Sequence, residues 1–485
     1  MIEGECAVPS PGELAEEVAA VLNGRHDPGV ASFERVLNAV VSHSHRDRET
    51  LAAALGPVQR ELAVAPHPRV RQLAGIVGAA GGPVQASERW ESAGAGWLEL
   101  CQHVALDYVT GARVVEMGAR LRAGDHIPFL LSVPSRASGA VEPHHLVARL
   151  AAYAGLGIRP GPADLGQALL RCGGGPADPD VVSAAEKLEL EEAPRVADWL
   201  RQGGLPHPGW QREREAGAPQ PHSRRRGARI GRRILVGHEA IEGRGAFPRR
   251  FWSVFRVFEP HIGCAHASLP DGRDAHTVAA VPWHPEIAAA RLLTGVASAA
   301  DQNGRGAPAF LTALAAADGP AGPAVHLALA YGLASVPDED RGAAVRALAQ
   351  LGARGRLDGA MLGRDLAELV RLGTLKVPLL TESLRAAAAL PGAAPALWPV
   401  LATALPGLLA STRPQAHAAL LAVAADTARG AGAGGATPEI TALAQRPGSS
   451  QLLGQARRLR DQLATHTTPA THATPAAHPH AAKVE

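Results

Sequence analysis

The chain has 485 residues, of which 46% are hydrophobic and only 4% aromatic, and its formal net charge is +2. This length is too great for one ordinary core, so we expect several domains or one elongated array of repeats. The near-neutral charge excludes a global field that would draw the whole chain onto nucleic acid or an acidic membrane.

The cysteines and the N-terminus bear on the cellular compartment in which the protein is expected. The four cysteines, at positions 6, 101, 172 and 264, lie far apart and form no CxxC motif, so a disulfide framework is not expected. The first residues are acidic and lack the apolar stretch of a secretory signal, which predicts a cytoplasmic protein. Positions 386–412 carry no charge but include four prolines, which favours buried helices over a membrane span.

Positions 1–127 are predicted to form an N-terminal helical region, with amphipathic helices near 14–22 and 33–41 and a longer pair of helices at 97–121. Positions 128–210 are predicted to form a second helical domain. It opens with an apolar run at 129–134 and continues with helices near 144–153, 162–170, 180–191 and 193–202. Asp178 precedes a proline and is a predicted N-cap, and the glycine pair after position 202 suits a helix C-terminus.

Positions 211–285 differ from the rest and are predicted to form an Arg-rich linker with a β-hairpin-like segment. Residues of high β-propensity concentrate in two runs, 233–236 and 250–258, which is typical of strands.

Positions 286–463 are predicted to form a HEAT-like helical array. Leu362, Leu366, Leu369 and Val370 follow the spacing of one buried helix stripe, and successive helix pairs begin about 35–40 residues apart, as in such solenoids. We expect each helix to bury one stripe and to leave an outer wall for docking. The Thr/Pro/Ala/His-rich tail, 464–485, is predicted to be disordered. The predicted fold is therefore mainly α, with a helical-repeat C-terminal array, a helical N-terminal part and a small β-containing insert between them.

The candidates for metal binding are weak. His261, Cys264 and His266 form the one Cys/His cluster of the sequence, but their spacing matches no zinc finger or ribbon. We therefore predict no metal site, and an ordinary loop is the preferred interpretation of these residues.

The Arg-rich segment 212–258 is the candidate for nucleic-acid binding. Positions 212–256 contain twelve arginines against four glutamates, interleaved with aromatic residues, as in surfaces that stack on bases. The residues that would bind are Arg224, Arg225, Arg226, Arg229, Arg232, Arg233 and Trp252. The alternative is a basic linker that leads into a hairpin whose aromatic rings face a core.

No catalytic residue and no cofactor-binding residue is predicted. The sequence contains no GxSxG nucleophile elbow. A GxGxxG pattern occurs at 430–435, but it follows a predicted helix rather than a strand and so lacks the context of a dinucleotide site.

Six stretches of the chain stand out: 131–139 (LSVPSRASG), 146–150 (LVARL), 164–170 (DLGQALL), 199–206 (WLRQGGLP), 284–293 (HPEIAAARLL) and 319–332 (GPAGPAVHLALAYG). Together they resemble a family of large helical proteins of unknown function from high-GC Gram-positive bacteria. Members of that family are often encoded near SWIM zinc-finger proteins and near MoxR-type ATPases with von Willebrand factor A partners. The resemblance implies a subunit or adaptor of such a system, and it carries no catalytic residue. The basic segment 211–285 departs from the family pattern, and this chain is shorter than typical members.

The sequence therefore predicts a non-enzymatic helical scaffold or adaptor that binds a protein partner, within a MoxR, von Willebrand factor A and SWIM system where the resemblance applies. The alternative is a nucleic-acid-associated protein that uses segment 212–258.

Overall fold

The structure of the protein is a computed structural model. It describes residues 8–23, 29–59, 68–81, 105–215, 218–219, 229–230, 232–252, 255–260, 273–301, 308–410, 414–435 and 437–465. Within these ranges the chain forms twenty α-helices and four short strands, so the predicted mainly helical fold is confirmed. None of these twenty helices is both long and apolar enough to cross a lipid bilayer.

Five helices form the N-terminal region: α1 (Pro11–Asn23), α2 (Val30–Arg46), α3 (Arg48–Gln59), α4 (Pro68–Gly81) and α5 (Ala105–Ala123). Helix α1 packs on α3, and α2 packs on α4. The predicted helices near 14–22 and 33–41 are α1 and α2. The helix pair predicted at 97–121 is one helix, α5, over positions 105–121, and positions 97–104 lie outside the described residues.

Helix α2 shows why this layering forms. Its buried apolar residues recur every three or four positions and so lie in one stripe along the helix, formed by Phe33, Val36, Leu37, Val40 and Val41. The stripe removes these side chains from water by packing against the neighbouring helices.

Four short helices follow: α6 (Pro143–Gly155), α7 (Pro162–Arg171), α8 (Pro179–Glu186) and α9 (Ala193–Gln202). Each begins with proline at one of its first two positions, where the missing N–H costs nothing. The predicted cap is confirmed, since the Asp178 carboxylate accepts a hydrogen bond from the Asp180 N–H at 2.8 Å. The prediction that this helix runs to position 191 was wrong, because the chain leaves the helix after Glu186.

The β-structure is one antiparallel pair, β1 (Trp210–Glu215) with β4 (Arg233–His238), and a minimal second pair, β2 (Ala218–Pro219) with β3 (Arg229–Ile230). The predicted strand at 233–236 is confirmed. The predicted strand at 250–258 was wrong, because 3-10 turns lie at Arg249–Phe251 and Phe255–Phe258. The phenylalanines of this region recur every three or four residues and are buried together, which is a helical spacing rather than an alternating one.

The C-terminal part contains eleven described helices: α10 (Arg273–Ala280), α11 (Pro285–Asp301), α12 (Pro308–Ala316), α13 (Pro323–Leu333), α14 (Asp338–Ala353), α15 (Gly359–Arg371), α16 (Val377–Ala388), α17 (Ala394–Leu409), α18 (Pro414–Gly430), α19 (Pro438–Gln445) and α20 (Gln451–Thr465). Helices α11, α13, α15 and α17 pack in succession, each on the next of that series. Helices α10, α12, α14, α16, α18 and α20 form a second such series. The tail from position 466 lies outside the described residues.

The expectation that every helix of this part buries a single stripe was wrong for α11 and α13. Nearly every residue of both helices is buried, because β4 covers the side that an open array would expose. The Tyr331 hydroxyl donates to the Ile234 carbonyl and accepts from the Ile234 N–H, both at 2.9 Å. Arg233 of the same strand forms a buried ion pair with Asp301 at 2.7 Å. Helix α15 does follow the expected pattern, with its leucines at 362, 366 and 369 fully buried.

Buried side chains on one helix cap the start of the next helix in the series. Glu286 of α11 accepts hydrogen bonds at 2.8 Å from the N–H groups of Gly322, Ala324 and Val325, where α13 begins. His326 of α13 accepts from the N–H of position 358 at 2.8 Å, just before α15. These bonds satisfy N–H groups that a helix cannot pair internally, so they fix the position of each helix on its neighbour.

The same device occurs between α5 and α7. Glu116 accepts from the N–H groups of Ala163 and Asp164 at 2.9 and 3.1 Å. Helices α7 and α13, whose starts are each capped by a glutamate, both begin at the tripeptide Gly-Pro-Ala, at 161–163 and at 322–324. A β-carbon at Gly161 would lie 2.1 Å from a Glu116 carboxylate oxygen, so glycine is needed to admit the cap.

Candidate functional site

The loop between α5 and α6 is held in place by a buried carboxylate. Asp164 of α7 accepts hydrogen bonds from the Leu131 N–H at 2.7 Å and from the Ser132 hydroxyl at 2.6 Å. Arg149 of α6 donates to the carbonyls of Leu131 and Val133 at 2.9 and 2.6 Å. The loop therefore has a defined shape although it contains no regular secondary structure.

A second buried network joins α2 to this loop. The Glu34 carboxylate lies between two guanidinium groups, 2.6 Å from Arg113 and 2.8 Å from Arg171. Arg113 also donates to the Ser132 hydroxyl at 2.7 Å, and Arg171 donates to the Ser132 carbonyl at 2.6 Å. Burial alone would raise the pKa of Glu34, but the two cations overcome it and hold that pKa well below its ordinary value.

Between α2 and the loop runs a cavity of about 350 Å³, which we call the α2 groove. One wall is a face of α2 from Val30 to Arg46, and the opposite wall is the loop from Phe129 to Gly139. A volume of roughly 300–1,000 Å³ is typical of ligand sites. The groove is therefore large enough to receive side chains of another molecule.

The lining of the α2 groove is mainly apolar and includes three exposed arginines. Arg35, Arg46 and Arg136 lie at its rim. Arg35 pairs with Glu17, and Arg136 pairs with Glu142, but the side chains of both arginines stay more than 40% exposed. Arg46 is exposed and takes part in none of the ion pairs formed among the described residues. The rim therefore offers positive charge that an acidic group could reach.

A second cavity, of about 340 Å³, lies where the ends of α7 and α9 meet the links before α11 and α13. We call it the tryptophan cavity, because Trp199 and Trp283 line it. The Trp283 indole lies against Gly174, where a β-carbon would be 2.2 Å from the ring and where φ is +94°. Glycine at position 174 is thus required for packing of the indole.

Two histidines and a thiol also line the tryptophan cavity. The rings of His207 and His284 are 5.0 Å apart between centroids. Burial, with a smaller contribution from His207, lowers the pKa of His284 to about 3, so its imidazole is neutral at physiological pH. Burial raises the pKa of the Cys172 thiol to about 12, so it is not a thiolate nucleophile.

Among the predicted nucleic-acid residues whose side chains the structure describes, which are Arg232, Arg233 and Trp252, no shared exposed surface forms. Arg233 is buried in its ion pair with Asp301, and Arg232 is exposed beside it. Trp252 is half-buried, with the guanidinium of Arg244 4.7 Å from its ring centroid. Position 229 lies in β3, and positions 224–226 lie outside the described residues.

The weak metal candidates His261, Cys264 and His266 also lie outside the described residues. Within the described ranges, no three His, Cys, Asp or Glu side chains converge in a way that could hold a metal ion.

Sequence reasoning missed the residues that build both cavities. Glu34, Arg113 and Arg171 are far apart in sequence, and each lies among ordinary helix-forming residues. The glycines at 173–175 follow the end of α7, but nothing nearby in sequence indicates the indole above them. Four stretches that carry the family resemblance line the tryptophan cavity, through Leu170, through Trp199 with positions 203–205, through His284, and through Gly319 with Pro320.

Comparison with known proteins adds no relative: no family model, curated protein or solved structure matches this chain.

Proposed function

We propose that the protein is a non-enzymatic helical scaffold that binds a segment of a partner protein in the α2 groove. The observation that carries the proposal is the groove itself, a cavity of about 350 Å³ with a mainly apolar lining and exposed arginines at positions 35, 46 and 136. Protein segments that bind in such grooves place apolar side chains on the floor and polar ones at the rim.

The charge of the rim selects the partner. Arg35, Arg46 and Arg136 favour a segment whose apolar residues are flanked by aspartate or glutamate. A carboxylate of the partner would complete the environment of Arg46 and could share Arg35 or Arg136 with their present partners.

The walls of the groove support tight binding because they are already ordered. Glu34 and Asp164 hold α2 and the opposite loop through buried hydrogen bonds, so little ordering is left to be done on association. A preformed site loses less entropy than one that folds around its ligand.

The helical series behind the groove fits the scaffold function. We propose that α10–α20 form a HEAT-like solenoid, which the packing of alternate helices in two series supports. The resemblance noted in the sequence suggests a MoxR-type ATPase, a von Willebrand factor A protein or a SWIM protein as the partner. Since the aromatic rings and Arg233 of segment 212–258 are engaged internally, we do not propose the nucleic-acid alternative.

Site-specific photo-cross-linking in native host cells tests this function. A photoreactive phenylalanine at Ala137, in the groove, should capture a protein with an acidic and apolar segment, whereas one at Arg385, on the exposed side of α16, should not. With the purified partner, Arg46→Glu should weaken binding about tenfold or more, because it reverses a charge at the rim. Arg385→Glu is the matched control. Equal affinity of both variants and the wild type would refute the assignment of the groove.

A further inference from the structure

We propose that the tryptophan cavity binds a small, uncharged, planar heterocycle that presents a carbonyl or ring-nitrogen acceptor to Nε2 of His284. This site lies apart from the α2 groove, and its occupancy does not depend on the scaffold function.

His284 provides the polar anchor. Only 5% of this residue is exposed, and it lines the cavity. Its Nδ1 is buried and has no hydrogen-bond partner among the described residues. Its Nε2 does not belong to the buried side-chain atoms that lack a partner. A proton on Nδ1 would be a buried donor without an acceptor, so the tautomer with the proton on Nε2 is favoured. Because the His284 ring lines the cavity, we infer that this N–H is the donor that a ligand meets there, so the ligand carries the acceptor.

The walls select a flat ring. Trp199, Trp283 and His207 supply aromatic surface on which a planar molecule can stack. The glycines at 173–175 line the cavity without side chains of their own, and the Trp283 indole packs on Gly174. The volume of about 340 Å³ suits a ligand of the size of a nucleobase.

The electrostatics favour an uncharged ligand. No lysine or arginine is among the described residues that line the cavity, so an anion would lack a counter-ion. The one carboxylate, Asp318, already accepts from Ser138 at 2.6 Å and from Arg354 at 3.0 Å. A cation would have to compete with Arg354, and both histidines resist protonation because burial lowers their pKa.

Ligand-observed NMR with the full chain tests the site, using adenine, hypoxanthine, cytosine and uracil as probes at about 1 mM. At least one base should bind and quench tryptophan fluorescence. His284→Phe keeps a flat ring but removes the N–H, and it should weaken binding of that base about tenfold. His45→Phe, an exposed position on α2, is the matched control and should leave binding unchanged.

A second variant tests the site independently, in case His284→Phe does not fold. Pro320 is exposed at the edge of the cavity, so Pro320→Trp should block entry without disturbing the core and should abolish binding. Failure of all four bases to bind the wild-type chain would overturn the proposal. Binding that both variants leave unchanged would overturn it as well, because the base would then occupy another place.

Discussion

Removal of the Glu286 carboxylate is the sharpest test of how the helices are joined. Glu286→Ala leaves the N–H groups of Gly322, Ala324 and Val325 without their acceptor. A buried donor without a partner costs roughly 1–3 kcal/mol, so three of them predict a loss of about 3–5 kcal/mol when some water enters. That is a large part of the roughly 5–15 kcal/mol that stabilises a typical domain.

Urea unfolding followed by circular dichroism measures this loss. Glu382→Ala on α16 is the control, because that carboxylate is 56% exposed and its contact with Arg341 is 3.5 Å long. The control should change the free energy of unfolding by less than about 0.5 kcal/mol. A loss below about 1 kcal/mol for Glu286→Ala would refute the view that this carboxylate holds the start of α13.

The same carboxylate makes stability depend on pH. Burial raises the pKa of Glu286 to about 7, and the three N–H bonds oppose that rise. The folded state therefore binds the proton more tightly than the unfolded state, so this stabilisation is complete below the unfolded pKa and is lost as pH rises through about 7. Glu286→Gln cannot titrate. The stability of the wild type relative to this variant should therefore fall between about pH 4.5 and pH 7, by up to about 1.4 kcal/mol per pH unit.

Three further predictions concern other buried contacts. Glu34→Gln should lower the free energy of unfolding by about 3–5 kcal/mol in calorimetry, because it leaves the Arg113 and Arg171 charges buried without their carboxylate; a change under about 1 kcal/mol would contradict this. Gly174→Ala should cost about 1–3 kcal/mol more than Gly175→Ala in thermal unfolding, since both have positive φ but only the first places a β-carbon against Trp283; equal costs would contradict the packing argument. Arg212→Ala should destabilise the fold more at pH 7 than at pH 5. Asp365 is buried 2.7 Å from Arg212, and without that cation its carboxylate must take up a proton to stay buried, which is harder at the higher pH. An equal loss at both pH values in urea titrations would count against the ion pair.

Local patterns in the sequence predicted the elements whose stability is local. The stripe of α15, the strand at 233–236 and the cap at Asp178 follow from residue spacing and type, and the structure contains all three. Strand β1 was not predicted, because its charged sequence is polar on both sides. Arg212 and Arg214 of that strand reach Asp365 and Glu368 on α15, a partner that lies far away in sequence.

The cavities could not be predicted from one sequence for the same reason. Glu34 and Arg171 are 137 positions apart, and their contact exists only after α2 and α7 have packed around one loop. Tyr331 and Ile234 likewise come into contact only in the folded chain. Strand β4 therefore covers the side of α11 and α13 that we expected to be exposed.

The capping bonds between α11, α13 and α15 determine how this part of the molecule can deform. Apolar contacts allow two helices to slide along each other with a gradual change in energy, whereas a hydrogen bond is lost within a displacement of about 1 Å. The bonds of Glu286 and His326 therefore resist sliding between successive helices, whereas small changes in crossing angle cost little energy. The series of helices should therefore bend through small changes in crossing angle, while successive helices keep their positions along each other.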